Sequence, residues 1–101
     1  MIQRVSKHSG YIEMITDSGE RHSQVGQELK LFGWGPNSYA VSHGSDRHVT
    51  VYNENNSRVA QLSINPEYKD LHWDGSHLTF VSGHQLCTMD MNGTIVNTRP
   101  L

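Results

Sequence analysis

The chain has 101 residues, 35% of them hydrophobic and 18% charged, with eight basic side chains against ten acidic and a net charge of −2. A chain of this length makes a single domain, buries only about 60 to 68% of its unfolded surface, and without a basic excess has no general attraction to nucleic acid or anionic lipid. No segment approaches the roughly 18 apolar residues of a membrane span, and the opening MIQRVSKHSG lacks the apolar run of a secretory signal. A soluble cytoplasmic chain is therefore expected. The lone Cys87 cannot form an intramolecular disulfide and sits in the alternating run Leu86-Cys87-Thr88-Met89, where a small core or surface thiol is expected.

Taken in chain order, alternation of apolar and polar residues between turn signals predicts short strands. Ile2 to Lys7, Tyr11 to Thr16 and Glu20 to Val25 make a first unit of three, the last two joined by the turn Asp17-Ser18-Gly19. A second unit has four strands: Glu28 to Trp34, Tyr39 to Ser42, His48 to Asn53 and Arg58 to Ile64. Its turns are Gly35-Pro36-Asn37, His43 to Asp46 and Glu54 to Asn56. The third repeats that plan with Tyr68 to Trp73, His77 to Ser82, Gln85 to Asp90 and Thr94 to Thr98. Here Asn92-Gly93 is a strong hairpin signal, because both positions tolerate positive φ. Pro36 and Pro66 fall in connections, where a missing N–H costs nothing.

The units echo one another. Thr16, Asn53 and Asp90 recur at a constant spacing of 37, as do Gly19, Asn56 and Gly93, and Val-Ser pairs stand at Val5-Ser6, Val41-Ser42 and Val81-Ser82. Such a period predicts stacked supersecondary units within one array. The units span about 1–26, 27–65 and 66–101, and the first lacks a counterpart of Leu31-Phe32-Gly33-Trp34 or Leu71-His72-Trp73.

The stretch Ser42-His43-Gly44-Ser45-Asp46-Arg47-His48-Val49-Thr50-Val51-Tyr52-Asn53 resembles a tryptophan-aspartate (WD) repeat, from its second strand through an Asp-bearing turn to the Trp-Asp pair. His72-Trp73-Asp74-Gly75-Ser76-His77 and the residues to Gly83 are similar to the inner strand, Asp-Gly turn and second strand of that family. The Trp-Asp position itself reads Tyr52-Asn53, Met89-Asp90 and Ile15-Thr16. The resemblance implies propeller blades and a structural role for Asp46. The fold expected is all-β, with about eleven antiparallel strands in three blade-like meanders; a compact β-sandwich is the alternative.

Fewer than three full blades cannot close a ring, since propellers use about four to eight. An open array exposing apolar end faces needs capping, and a homodimer closing six blades head to tail is the simplest completion. The expected function is a non-catalytic protein-binding or scaffolding module that self-associates. Its binding face is expected at the turns and connectors, with His8, His43, Asp46, Arg47 and His84. A glycan- or small-ligand-binding lectin using Trp34 and Trp73 is the second reading, since both indoles end inner strands and can stack on sugars. The third is a metal-dependent hydrolase prompted by seven histidines. Sheet spacing of about 10 Å opposes shared chelation by His8, His43 and His84, and no metal or nucleophile motif accompanies them. No cofactor is expected.

Overall fold

The computed structural model describes residues 1–26, 28–44 and 47–101. β1 (Ile2–His8), β2 (Tyr11–Thr16) and β3 (Arg21–Val25) form a first sheet. A second is made by β4 (Leu29–Trp34), β5 (Ser38–His43), β6 (His48–Asn53) and β7 (Arg58–Ser63). The third holds β8 (Lys69–Trp73), β9 (Leu78–Ser82), β10 (Gln85–Met89) and β11 (Ile95–Pro100). Every pairing is antiparallel between chain neighbours, and no helix occurs among the described residues. The expected strands are all present, their ends moved by no more than two residues. The architecture is three blade-like meanders in three sheets, with no closed barrel and no two-sheet sandwich.

The 37-residue spacing is a spacing of hydrogen bonds. In the turns after β2, β6 and β10, the amides of Thr16, Asn53 and Asp90 donate to the carbonyls of Glu20, Ser57 and Thr94. Those of Gly19, Asn56 and Gly93 donate back to the carbonyls of Thr16, Asn53 and Asp90. Asn53 Oδ1 accepts from the Asn55 and Ser57 amides at 2.9 and 3.0 Å, and Asp90 Oδ1 from those of Asn92 and Thr94 at the same distances. A short polar side chain that bonds its own turn is what these positions select.

The Val-Ser echo has no such common geometry. Val5 pairs with Met14 and joins the cluster between the first and second sheets, Val41 joins the same cluster from the opposite side, and Val81 pairs with Leu86 on the outer face of the third sheet. The first unit turns from β1 to β2 through two residues, whereas the second uses a longer connection. Met14 and Val51 are equivalent, yet their partners are Val5 and Ala40, so Val41 sits one position out of register with Val5 and faces the other way.

Two cores lie between the sheets. Ile2, Val5, Ile12 and Met14 meet Leu29, Tyr39 and Val41 in one. Ala40, Val49, Val51 and Leu62 meet Trp73, Leu78, Phe80, Cys87 and Met89 in the other. Cys87 is thus a buried core thiol. The two outward faces differ from the expectation of apolar ends. The first sheet turns out Arg4, Glu13 and Arg21, with Glu13 4.0 Å from Arg4 and 3.5 Å from Arg21. The third turns out Thr79, Thr88, Asn97 and Arg99 around Val81 and Leu86. At the positions where the repeat buries Val51 and Thr50, the end faces carry Thr88 and Glu13, which solvates them as terminal repeats require.

β4 joins the sheets, touching β8 on one side and β1 and β2 on the other. Its contact with β8 is backbone to backbone. Gly33 has φ +147°, and a Cβ there would stand 2.0 Å from the Trp73 carbonyl oxygen; one on Gly35 would stand 2.6 Å from Gly75 Cα. Only glycine fits both sites. The wholly buried Trp73 indole donates to Ser38 Oγ at 3.0 Å, and Ser38 Oγ donates to the Gly75 carbonyl at 2.7 Å. Ser38→Ala strands two polar groups in the core and is expected to cost about 2 kcal/mol, a fall in thermal midpoint of at least about 8 °C. Gly33→Ala, with a backbone clash as well as strain, is expected to lose more; urea unfolding of both variants measures the order.

Candidate functional site

Among the described residues the first sheet has three strands where the other two have four, and its register shows which strand has no counterpart. Ile2 pairs with Thr16 as Ser38 pairs with Asn53, and Thr16 and Asn53 are equivalent turn residues. The Ile2 amide donates to the Pro36 carbonyl at 2.7 Å, the counterpart of the Ser38 bond to Gly75. β1 therefore corresponds to β5, the second strand of its unit. The place that β4 takes in the second sheet is open in the first, beside the free edge of β1.

The two tryptophans report that difference. Trp34 pairs with Tyr39 as Trp73 pairs with Leu78, each on the face toward the preceding sheet. Trp73 is 0% exposed beneath β4, whereas Trp34 is 39% exposed. Ile2 stands where Ser38 stands and offers the Trp34 indole no hydroxyl. A stacking surface at this end rests on Trp34 alone, because Trp73 is a core residue and not a surface one.

Between the first and second sheets the opposite strand, β3, makes a polar bridge. Asn56, the left-handed turn residue with φ +63°, accepts through Oδ1 from Gln24 Nε2 at 3.0 Å and from the Tyr39 hydroxyl. Its side chain bridges the sheets, which the glycines at equivalent positions cannot do. Nothing in a polar turn marks Asn56 or Ser38 as an inter-sheet residue, so sequence reasoning passes over both. Burial pushes the Tyr39 hydroxyl up to about 12.

The other expected binding residues do not converge. His8 stacks on Tyr11 with ring centroids 4.6 Å apart and lies 4.0 Å from Glu13. His43 is half-buried, its Nε2 3.5 Å from the Tyr52 hydroxyl. Arg47 and His84 are exposed and lend their backbone carbonyls to the amides of Ile64 and Leu101. Asp46 lies outside the described residues. Among the described residues no three of His, Cys, Asp and Glu are placed to hold a metal ion. A surface cleft of about 310 Å³ on the third sheet is lined by Glu67, Lys69, Val81 and Gly83, none of them an expected site residue.

Ser76, His77 and Asp74 do meet, in the turn before β9, but in a structural arrangement. Ser76 Oγ lies 2.9 Å from His77 Nδ1 and 3.2 Å from Asp74 Oδ1, so Asp74 holds the serine and its own turn, not the histidine ring. Burial pulls the Asp74 carboxyl up, yet the amides of Ser76 and His77 at 2.8 and 2.7 Å, with the Ser76 hydroxyl, hold it below the ordinary carboxylate range. A turn clasp accounts for all three residues.

No protein-family model matches the chain, and a search of the curated proteins finds no match.

The buried tyrosine sets a pH dependence. Its raised value in the fold means that the stability it contributes is present below pH 10 and is lost as pH rises from 10 toward 12. Unfolding free energy followed through that window is expected to fall, and Tyr39→Phe to flatten the fall. An unchanged slope in the variant would place the alkaline transition elsewhere.

Proposed function

We propose that the chain is a non-catalytic protein-binding or scaffolding module built from propeller-like meanders, and that the open inner place of its first sheet is where a partner is taken up. The observation that carries the reading is the contrast between two equivalent tryptophans, one sealed by a strand and the other left 39% exposed where that strand has no counterpart. An exposed aromatic beside a free sheet edge offers a partner both apolar area and unpaired backbone groups. The polar outward faces support the same reading, because they leave this end as the incomplete part of the stack.

Completion of a ring by a second copy is the simplest alternative. It would set the outer face of one chain's third sheet, with Lys69 and Arg99, against Arg4, Glu13 and Arg21 of another chain's first. Both faces hold more basic than acidic groups, so such a contact is expected to be weak at low salt.

Stability separates a binding residue from a folding one. Trp34→Ser is expected to cost clearly less unfolding free energy than Trp73→Ala, which loses about 3 to 5 kcal/mol with its cavity. Equal losses in urea titrations would make Trp34 a folding residue and remove the basis of the reading. Sedimentation equilibrium at micromolar concentration supplies the oligomeric state.

A further inference from the structure

Resting on that reading, we infer that the open place beside β1 takes an extended segment of another protein, running antiparallel to β1, with a large apolar residue followed by a glycine facing the second sheet, the glycine at the position that lies over the Trp34 backbone. The second sheet is the template for this assignment. β4 pairs antiparallel with β5, turns Leu29 and Leu31 toward the first sheet and Phe32 toward the third, and presents Gly33 to the Trp73 carbonyl. The requirement for glycine is set by the next sheet. His72 holds the position of Gly33 in the third sheet and pairs with Thr79 on the free face, where no further backbone approaches. The first sheet does have a neighbour, and Trp34 stands in it as Trp73 stands in the third. A side chain on the incoming residue would therefore meet the Trp34 backbone as a Cβ on Gly33 would meet Trp73, at 2.0 Å.

A second copy of the chain is a poor donor. The eleven strands of the described residues are all already paired, and the exposed β11, Ile95-Val96-Asn97-Thr98-Arg99-Pro100, has no glycine and ends on a proline that lacks an N–H. β-Strand addition by a foreign segment needs neither rearrangement, since main-chain bonds supply affinity and alternate side chains supply selection.

The probe is the synthetic heptapeptide Leu-Lys-Leu-Phe-Gly-Phe-Gly, which copies residues 29 to 35 with phenylalanine at the tryptophan position, so that only the protein fluoresces. Added to the full chain it is expected to move the emission of Trp34 to shorter wavelength in a saturable way, with heat released in calorimetry. The Trp34→Phe protein, left with the buried Trp73, should show no spectral change. The same peptide with valine at its first glycine is expected to bind at least ~10-fold more weakly. Absence of binding up to about 1 mM peptide would overturn the inference, as would equal binding of the two peptides. A dimer that covers Trp34 without any peptide would also overturn it, by placing a second copy there. If the Trp34→Ser protein keeps its stability while neither peptide binds, the strand inference fails and the broader reading stands.

Discussion

The stack depends on the approach of two backbones where β4 crosses β8. Sheets faced with side chains ordinarily pack about 10 Å apart. Here the loss of Cβ atoms at Gly33, Gly35 and Gly75 lets main chain meet main chain, and the gap that remains is filled by the Trp73 indole. An indole N–H buried without a partner would forfeit about 1 to 3 kcal/mol of what its burial returns. Ser38 resolves this by accepting from the ring and donating its own hydroxyl hydrogen bond to the Gly75 carbonyl. One hydroxyl thus ties the third sheet to the second at the point where no side chain can intervene.

What was legible in the sequence follows from how local each interaction is. The hairpin turns after β2, β6 and β10 are closed by residues three or four positions apart, so their chemistry is written in contiguous text and the spacing of 37 survives into the structure. The strands were readable for the same reason. The Val-Ser echo was equally visible and misleading, since a one-residue offset reverses facing direction, and the residue that pairs with Val51 as Val5 pairs with Met14 is Ala40 and not Val41.

The candidate site is legible only in part because its meaning is not local. Trp34 and Trp73 occupy the same place in their units and read alike; what separates them is whether the preceding unit has an inner strand, a fact about residues more than thirty positions away. Gly33 and His72 differ for the complementary reason, one lying under a following sheet and the other facing out. The histidines attract notice by number alone. Their surroundings, a stacked Tyr11 for His8 and a Tyr52 hydroxyl for His43, are as different as their sheets, and a shared turn position brings them no nearer.

The ends of the stack carry the sharpest contrast. Where an outward face would have been apolar by the repeat, the chain has Glu13 in the place of buried Thr50 and Cys87, and Thr88 in the place of buried Met14 and Val51. Those substitutions give up packing that no neighbour would provide and make the faces compatible with water. Beside the free edge of β1 the same logic would favour a polar residue, yet Trp34 keeps its large ring in partial contact with solvent. The outward faces are therefore terminations, whereas the edge of β1 has no paired strand among the described residues.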